Sequence, residues 1–247
     1  RAPVLFPFCG RLWDGKCTDA GIPCNPGVHG FLRFMTTEVT EKSDTSVTFR
    51  ARDNAETLKN YPYPFEVRLT FSLQDRTLTT RTEIVNRGER VMPFALGLHP
   101  GFSLPFAGGN IGDYTVRFEG ATGMLQRLNF DEGECFPTGG SRDFPLRDGE
   151  FFDPTDDFFE AGSAFFCEMP RSVMLEKRET DRRIAMNFPD FRYFGLWKVP
   201  GARFLCMEPW TSLPALHGVV TELTEKPDLI RLAAGEQKSL LCTVTFC

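Results

Sequence analysis

The sequence predicts an all-β fold, a large antiparallel β-sandwich, on the strength of three observations. Alternation of apolar and polar residues with a period of two dominates the chain. Sustained stripes with the 3.6-residue period of a helix are absent from it. The 22 glycines and 18 prolines together exceed their usual share of about 12%. Many short strands joined by turns account for all three features.

The clearest strand pattern covers residues 65–73, where alternation predicts odd positions inward and even positions outward. A turn at 74–76 and the threonine-rich run 78–85 complete a predicted hairpin. Further strands are predicted at 46–52, 114–118, 172–178, 183–188, 204–207 and 239–246. No repeat or linker divides the sequence, so residues 1–247 are expected to form a single domain.

Charge and hydropathy restrict the class of partner. The net charge of −5 argues against a nucleic-acid partner, because phosphate binding requires an excess of clustered Lys and Arg. No apolar run approaches the ~20 residues of a membrane span, and the first residues lack a signal-peptide pattern. We therefore expect a cytoplasmic monomer or homodimer with a small-molecule ligand and no membrane contact.

The cysteine pattern favours reduced thiols within the core. No two cysteines have the C-x-x-C spacing of a metal or redox motif, and several lie in apolar strand contexts. We accordingly expect no metal site. The eight cysteines are Cys9, Cys17, Cys24, Cys135, Cys167, Cys206, Cys242 and Cys247.

Two of the three histidines have closely similar surroundings. His29 and His99 each adjoin a turn containing Gly or Pro–Gly, with Phe31 or Phe102 nearby. Such a turn on a β scaffold presents a titratable group to a cleft, and the aromatic rings could form apolar walls for a sugar. For either histidine alone, a structural role in which the ring binds a backbone carbonyl is favoured. The repeated pattern favours a site.

Glu208 is the strongest single candidate for a functional residue. It follows the apolar run 204–207, and Pro209 is expected to end the strand there. Burial beside Trp210 would raise the pKa of the carboxyl toward the range of a general base, although an arginine-paired structural carboxylate is the alternative. Arg11, after a Gly turn, could bind a polyol or form a surface salt bridge. His217 is expected to be structural or at the rim.

Four short motifs, in the order in which they occur along the chain, resemble the aldose 1-epimerase (galactose mutarotase-like) family, and its LacX-type branch in particular. Segments 195–202 and 232–236 add to the resemblance, which runs from about Val4 to the C terminus. The motifs are Gly10-Arg11-Leu12, Val28-His29-Gly30-Phe31, Leu96-Gly97-Leu98-His99-Pro100-Gly101-Phe102 and Cys206-Met207-Glu208-Pro209-Trp210.

The resemblance implies a galactose mutarotase-like β-supersandwich without cofactor or metal, and interconversion of the α and β anomers of an aldose. It implies Glu208 as the base, His99 as the acid, and His29 and Arg11 as sugar ligands. Trp197 and Phe102 are predicted as further sugar contacts.

The resemblance also implies N-terminal strands that have no counterpart in this sequence. It supplies no clear match, near residues 159–163, to a further substrate-binding Asp of galactose mutarotases. We expect the base and the acid to face one cleft across a gap about as wide as a pyranose.

Two alternatives remain open. A hexose-phosphate mutarotase would need a basic pocket, for which Arg33, Arg81 and Arg87 are available. A non-catalytic sugar-binding module could share the fold, although it would not need to retain both histidines and the glutamate.

Overall fold

All eight segments with strand patterns form strands in a computed structural model, which describes residues 2–131, 136–160 and 162–247. The alternating segment and the threonine-rich run that follows it pair as an antiparallel hairpin. Asp75, in the turn between them, has a φ of 52°, a left-handed conformation that Asp tolerates better than most residues.

Strands account for most of the regular structure in the described residues, and the helices are short. In chain order the strands are β1 (Val4–Leu5), β2 (Cys17–Asp19), β3 (Ile22–Cys24), β4 (Glu38–Lys42), β5 (Ser46–Arg52), β6 (Phe65–Gln74), β7 (Thr77–Asn86), β8 (Met92–Phe94), β9 (Gly97–Leu98), β10 (Gly101–Ser103), β11 (Tyr114–Phe118), β12 (Met124–Phe130), β13 (Pro137–Pro145), β14 (Phe151–Phe152), β15 (Ala164–Cys167), β16 (Ser172–Lys177), β17 (Arg183–Asn187), β18 (Tyr193–Trp197), β19 (Phe204–Trp210), β20 (Thr221–Glu222), β21 (Ile230–Leu232) and β22 (Gln237–Phe246). The α-helices are α1 (Ala55–Asn60) and α2 (Asp156–Phe159), and 3₁₀ turns occur at Trp13–Gly15, Leu32–Phe34 and Ile111–Asp113.

Within the described residues the strands form two large sheets and two small ones. Sheet I has the order β1-β9-β19-β18-β15-β12-β13, with β10 also paired to β19. Sheet II has the order β14-β11-β16-β17-β22-β7-β6-β5-β4. The small sheets are β20-β2-β3 and β21-β8. Every pairing within the large sheets is antiparallel, which confirms the predicted fold class.

Aromatic residues fill the space between the two large sheets. Phe118 of sheet II meets Phe166 of sheet I at a ring-centroid distance of 5.5 Å. Phe188 stacks on Phe194 of β18 at 4.9 Å. These rings belong to one buried cluster that joins both sheets. The sheets therefore share an interior, and the opposite face of sheet I is left to form a cleft.

The alternation in β6 does not predict burial along its whole length. Glu66, at an outward position, is fully buried, because arginine side chains from β5 and β6 and from the segment after β7 cover it. Leu73, at an inward position, is half exposed because it lies at the tip of the hairpin, beyond the core. The alternation therefore predicted the wrong burial at both Glu66 and Leu73.

The cysteines for which the structure gives a side chain are unbridged, and most are buried. Cys9, Cys17, Cys24, Cys206 and Cys242 are buried, whereas Cys167 and Cys247 are partly exposed. Cys135 lies outside the described residues. Among the helices of the described segments, none is both long enough and apolar enough to cross a membrane.

Candidate active site

One cleft of about 180 Å³ on the face of sheet I brings together five of the six predicted site residues. They are Arg11, His29, His99, Trp197 and Glu208. These residues are up to 197 positions apart in sequence, so the fold is what assembles them. Gly10, Ser163, Phe165, Trp210 and Pro214 complete the lining.

Strand β19 directs Glu208 into the cleft. Residues 206, 208 and 210 share one face of the strand, whereas Leu205 and Met207 face the apolar interior and are fully buried. Glu208 is only 3% exposed. The strand does not end at this residue, contrary to the sequence-based expectation, but continues through Pro209, which is in register with Phe194 of β18.

A gap in sheet I explains both why β19 tolerates Pro209 and where His99 lies. On the side of β19 away from β18, β9 pairs at Trp210 and β10 pairs at Cys206. The connection between β9 and β10 passes Pro209, where a missing N–H leaves no donor unpaired. His99 lies in this connection, and its Nε2 is 3.3 Å from Oε2 of Glu208.

Glu208 and His99 are therefore adjacent, and the expected gap of about the width of a pyranose was wrong. A carboxyl group and an imidazole at this distance can accept and donate protons at two neighbouring atoms of one bound molecule.

Burial shifts the pKa values of this pair in opposite directions. Burial raises the pKa of the Glu208 carboxyl well above its usual value. Burial also lowers the pKa of His99, and the positive charge of Arg33 lowers it further, while a backbone hydrogen bond acts in the other direction. The two groups are close enough to interact, so their protons titrate as a property of the pair rather than of either residue alone.

His29 is held as a neutral hydrogen-bond donor. Its Nδ1 accepts a hydrogen bond from the Gly10 N–H at 3.1 Å, and the backbone N–H of His29 donates to the Gly10 carbonyl at 2.8 Å. Burial, followed by the charges of His99, Arg33 and Arg11, lowers the pKa of His29 to about 4. Because Nδ1 is an acceptor, the proton of the neutral ring resides on Nε2.

Two glycines allow the backbone to hold His29 in this position. Gly10 has a φ of 77°, and a Cβ there would lie 2.3 Å from the Pro214 ring. Gly30 has a φ of 67°, and a Cβ there would lie 2.0 Å from the Phe6 carbonyl oxygen. Any larger residue at either position would displace a wall of the cleft or the turn that carries His29.

The walls of the cleft are aromatic but differ from those expected. The Trp197 ring lies 5.8 Å from that of His99, and the Trp210 ring lies 5.5 Å from that of His29. Phe165 packs against Trp210 at 4.5 Å. A Cβ at Gly195, the cross-strand neighbour of Glu208, would lie 2.6 Å from Phe165, so this glycine makes room for the ring.

Phe102 and Phe31 do not line the cleft, which corrects the expectation that they form its walls. Phe102 pairs with Leu205, so its side chain shares the core-facing side of the sheet rather than the side of Glu208. Phe31 stacks with Phe65 at 5.8 Å within the core. A three-residue strand such as β10 is too short for its alternation to reveal which side faces a site.

The sequence contained a usable signal for one of the walls that was missed. Trp210 lies two residues after Glu208 in the same strand, so period two alone places both side chains on one face. Phe165 and Ser163 carried no comparable signal, because only the pairing of β15 with β18 brings them to the cleft. Pro214 likewise reaches it through a loop.

The candidate phosphate-binding arginines are dispersed. Arg87 is engaged by Glu66 at 3.1 Å, and Arg81 lies on β7 in sheet II. Arg33 is near the cleft, since its charge lowers the pKa of His29 and that of His99, but its guanidinium donates to the Val28 carbonyl at 3.0 Å.

Lys198 and His217 have structural surroundings beside the site. The buried ammonium group of Lys198, next to Trp197, forms an ion pair with Asp156 of α2. Asp156 also accepts a hydrogen bond from the Gly201 N–H at 3.0 Å, which ties α2 to the loop after β18. His217 contacts Asp131 at 3.4 Å and does not line the cleft, as the sequence led us to expect.

One group of side chains in the described residues has the composition of a metal site. The ligand atoms of His99, Cys206 and Glu208 all lie within 4.8 Å of one another. No such site was expected from the scattered cysteines. Cys206 is close to Glu208 because both lie on one face of β19, and close to His99 because the connection between β9 and β10 passes beside that strand.

Comparisons with known proteins identify the family of the chain. The family model described as aldose 1-epimerase matches residues 1–216. The chromosomal LacX protein of Lactococcus lactis subsp. lactis is 28% identical over 241 residues, which cover 94% of this chain and 80% of that protein.

Solved structures show the same fold. A galactose mutarotase-like protein from Lactobacillus casei ATCC 334 has a TM-score of 0.91 and 30% identity, covering 100% of this chain and 85% of that one. A galactose mutarotase related enzyme from Lactobacillus acidophilus has a TM-score of 0.90 and 26% identity, covering 100% of this chain and 82% of that one. Because the family model matches most of the chain, including Arg11, His29, His99 and Glu208, the chain belongs to the aldose 1-epimerase family.

Proposed function

We propose that this protein is an aldose 1-epimerase, a cofactor-independent isomerase that interconverts the α and β anomers of a free aldose. The observation that carries the proposal is the contact of 3.3 Å between His99 Nε2 and Glu208 Oε2 inside the cleft. Such a pair can exchange two protons with neighbouring oxygens of one substrate, which is what opening of a hemiacetal ring requires.

In the proposed mechanism Glu208 takes the proton of the C1 hydroxyl while His99 gives a proton to the ring oxygen. The bond between C1 and the ring oxygen breaks, leaving an aldehyde at C1 and a hydroxyl on the former ring oxygen. Rotation about the C1–C2 bond presents the other face of the aldehyde. Ring closure then reverses both proton transfers and restores the pair, and no covalent enzyme intermediate forms.

The opposite pKa shifts increase the reactivity of each group in its role. In the active form of the pair, Glu208 is a carboxylate and His99 an imidazolium. This form carries one proton, as does the form in which Glu208 is a carboxylic acid and His99 a neutral imidazole. A carboxylate with a raised pKa is a stronger base, and an imidazolium with a lowered pKa is a stronger acid. Sugar hydroxyls that donate to Glu208 would stabilise the carboxylate when substrate binds.

The remaining cleft residues suit a sugar. The Nε2–H of His29 is available to donate to a hydroxyl, and Arg11 lies exposed at the rim with further donors. Trp197 and Trp210 offer flat apolar surfaces for the C–H faces of a pyranose. This combination of few polar groups and aromatic walls favours a neutral monosaccharide.

A hexose-phosphate substrate is less well supported, because Arg33 alone of its three candidate arginines lies near the cleft. A purely sugar-binding module is disfavoured by the adjacency of the acid and the base, since binding alone would require no proton transfer.

Polarimetry of freshly dissolved α-D-glucose and α-D-galactose tests the proposal, with α-D-glucose 6-phosphate as a parallel arm. We expect the protein to accelerate equilibration of at least one neutral aldose well above the buffer rate. Acceleration of the phosphate ester alone would move the assignment to a hexose-phosphate mutarotase. Binding of sugars without any acceleration would leave a sugar-binding module and would contradict the proposal.

A further inference from the structure

We propose that His99, Cys206 and Glu208 form a binding site for Zn²⁺, and that the bound ion inhibits the enzyme by occupying its acid–base pair. Metal binding depends only on the geometry of these three side chains. Inhibition of turnover additionally rests on the proposed epimerase function.

The spacing of the three side chains suits a tetrahedral ion after a small contraction. Their ligand atoms lie within 4.8 Å of one another, and Nε2 of His99 is already 3.3 Å from Oε2 of Glu208. Zn–N and Zn–O bonds of about 2.0 Å and a Zn–S bond of about 2.3 Å place tetrahedral ligands roughly 3.3–3.5 Å apart. Side-chain rotation would need to shorten the widest separation, which is at most 4.8 Å, by up to about 1.3 Å.

Strand pairing holds the three ligands on one side of sheet I. Cys206 and Glu208 are two residues apart in β19 and therefore share its cleft-side face. Cys206 is also opposite Gly101 of β10, two residues after His99. The ligands thus come from two neighbouring backbone segments whose relative position is fixed by the sheet.

The chemical types of the ligands select the ion. One imidazole, one thiolate and one carboxylate suit Zn²⁺ and similar borderline metals, whereas Mg²⁺ and Ca²⁺ prefer ligand sets made of oxygen alone. The thiolate and the carboxylate together would neutralise the charge of a divalent ion, which matters because Cys206 and Glu208 are only 4% and 3% exposed. Three protein ligands leave one coordination position toward the cleft.

Occupation of this site would remove both functions of the pair. A carboxylate bound to the metal cannot accept the C1 hydroxyl proton, and an imidazole bound through Nε2 cannot donate to the ring oxygen. The ion would also lie where the reacting end of the sugar must be, so aldose and Zn²⁺ should compete.

Binding should be measured first, by isothermal titration calorimetry with Zn²⁺ and by the absorption of Co²⁺-loaded protein under reducing conditions. Cys206→Ala is the test variant, and Cys206→Ser repeats the test if the alanine variant fails to fold. Cys17→Ala is the matched control, because Cys17 is another buried thiol and its sulfur lies 2.8 Å from that of Cys24, outside the proposed site.

We expect wild type and Cys17→Ala to bind Zn²⁺ with equal affinity, and Cys206→Ala to bind at least 10-fold more weakly. The thiolate-to-Co²⁺ charge-transfer band should disappear only in the Cys206 variants. Unchanged affinity in Cys206→Ala, or a loss of binding that follows Cys17 instead, would overturn the proposal.

Inhibition is then measured as the Zn²⁺ concentration that halves the anomerisation rate, relative to each variant's own rate without metal. We expect this concentration to rise with aldose concentration and to be at least 10-fold higher in Cys206→Ala. Zinc binding by a protein without anomerisation activity would leave the metal site standing and contradict the proposed function. Anomerisation that Zn²⁺ does not affect would contradict the inhibitory role instead.

Discussion

Glu208 and Glu66 are the two buried glutamates of the described residues, and they have opposite surroundings. Both lie within β-strands, Glu208 3% exposed and Glu66 0% exposed. Three arginine side chains contact Glu66, at nitrogen–oxygen distances of 2.7, 2.6 and 3.1 Å, from Arg52, Arg68 and Arg87. Among the described residues, no arginine or lysine forms an ion pair with Glu208, and its ion-pair partner is His99.

This difference reverses the direction of the pKa shift. Burial alone would raise the pKa of Glu66, but the hydrogen bond from Arg52 and the charges of Arg68 and Arg87 outweigh it and hold that pKa below its usual value. Burial without such compensation raises the pKa of Glu208. Burial of a carboxyl group therefore does not by itself mark a catalytic residue. The absence of a cationic partner in a cleft is the more informative feature.

The comparison between Glu208 and Glu66 predicts that the largest difference between their variants is in catalysis. Glu208→Gln should slow anomerisation by about 10³-fold, because the amide cannot accept the C1 hydroxyl proton and general acid–base catalysis contributes ~10²–10⁴-fold. Polarimetry under saturating aldose measures the loss. Glu66→Gln is the matched control, with the same chemical change in another sheet, and should keep kcat within about twofold. Similar losses of activity in both variants would contradict a catalytic role that belongs to Glu208 and not to Glu66.

For stability, the larger effect is expected from Glu66→Gln and the smaller one from Glu208→Gln. Glu66→Gln should lower the free energy of unfolding by about 1–3 kcal/mol, because three arginines lose their shared counter-ion, although their exposure of 42–56% lets water screen part of the loss. Chemical denaturation at pH 7 measures this change. Glu208→Gln should cause no comparable loss, since burial already disfavours the charged carboxylate and the amide is neutral.

The two variants should also respond to pH with opposite signs. Glu66 has a lowered pKa in the folded state, so its contribution is present above the unfolded value near 4.5 and is lost as the pH falls through the folded value. Glu208 has a raised folded pKa, so wild type loses stability as the pH rises above about 4.5 toward that value.

Melting temperatures between pH 3 and pH 8 test this prediction. Relative to wild type, Glu66→Gln should become less stable with rising pH and Glu208→Gln more stable. Parallel curves would show that the two carboxyl groups do not differ in the way their surroundings imply.

The pH dependence of kcat/KM should be bell-shaped, because activity requires one proton on the pair formed by His99 and Glu208. The lowered pKa of His99 places the acidic limb below pH 6.5, the ordinary imidazole value. The raised pKa of Glu208 places the alkaline limb well above pH 4.5, the ordinary carboxyl value. An acidic limb at or above pH 6.5 would contradict the proton assignment.

The smallest expected effect concerns a single arginine around Glu66. Arg87→Ala should cost less than about 1 kcal/mol of unfolding free energy, because Arg52 and Arg68 remain in place and the lost partner is half exposed. Denaturation curves alongside Glu66→Gln measure the ratio of the two effects. A loss as large as that of Glu66→Gln would mean that Arg87 alone neutralises the carboxylate.

The sequence predicted the strands and most of the candidate site, since both depend on local patterns. Alternation identified the hairpin β6–β7, and the ordered motifs identified His29, His99 and Glu208. What could not be predicted depends on pairing between distant strands. The partners of Glu66 become visible only when β5 is in register with β6, and the passage of Pro209 through a gap requires knowledge of how β9 and β10 end.

The account's central claim is that Glu208, which has no arginine or lysine contact within the described part of the chain, has a raised pKa and forms an acid–base pair with His99. Carbon-13 NMR titration of the glutamate side-chain carboxyl carbons tests it directly, with the signals of Glu208 and Glu66 assigned through the two glutamine variants. We predict that Glu66 titrates below pH 4.5 and that Glu208 titrates well above it. Titration of Glu208 at or below pH 4.5, together with Glu66, would contradict the account.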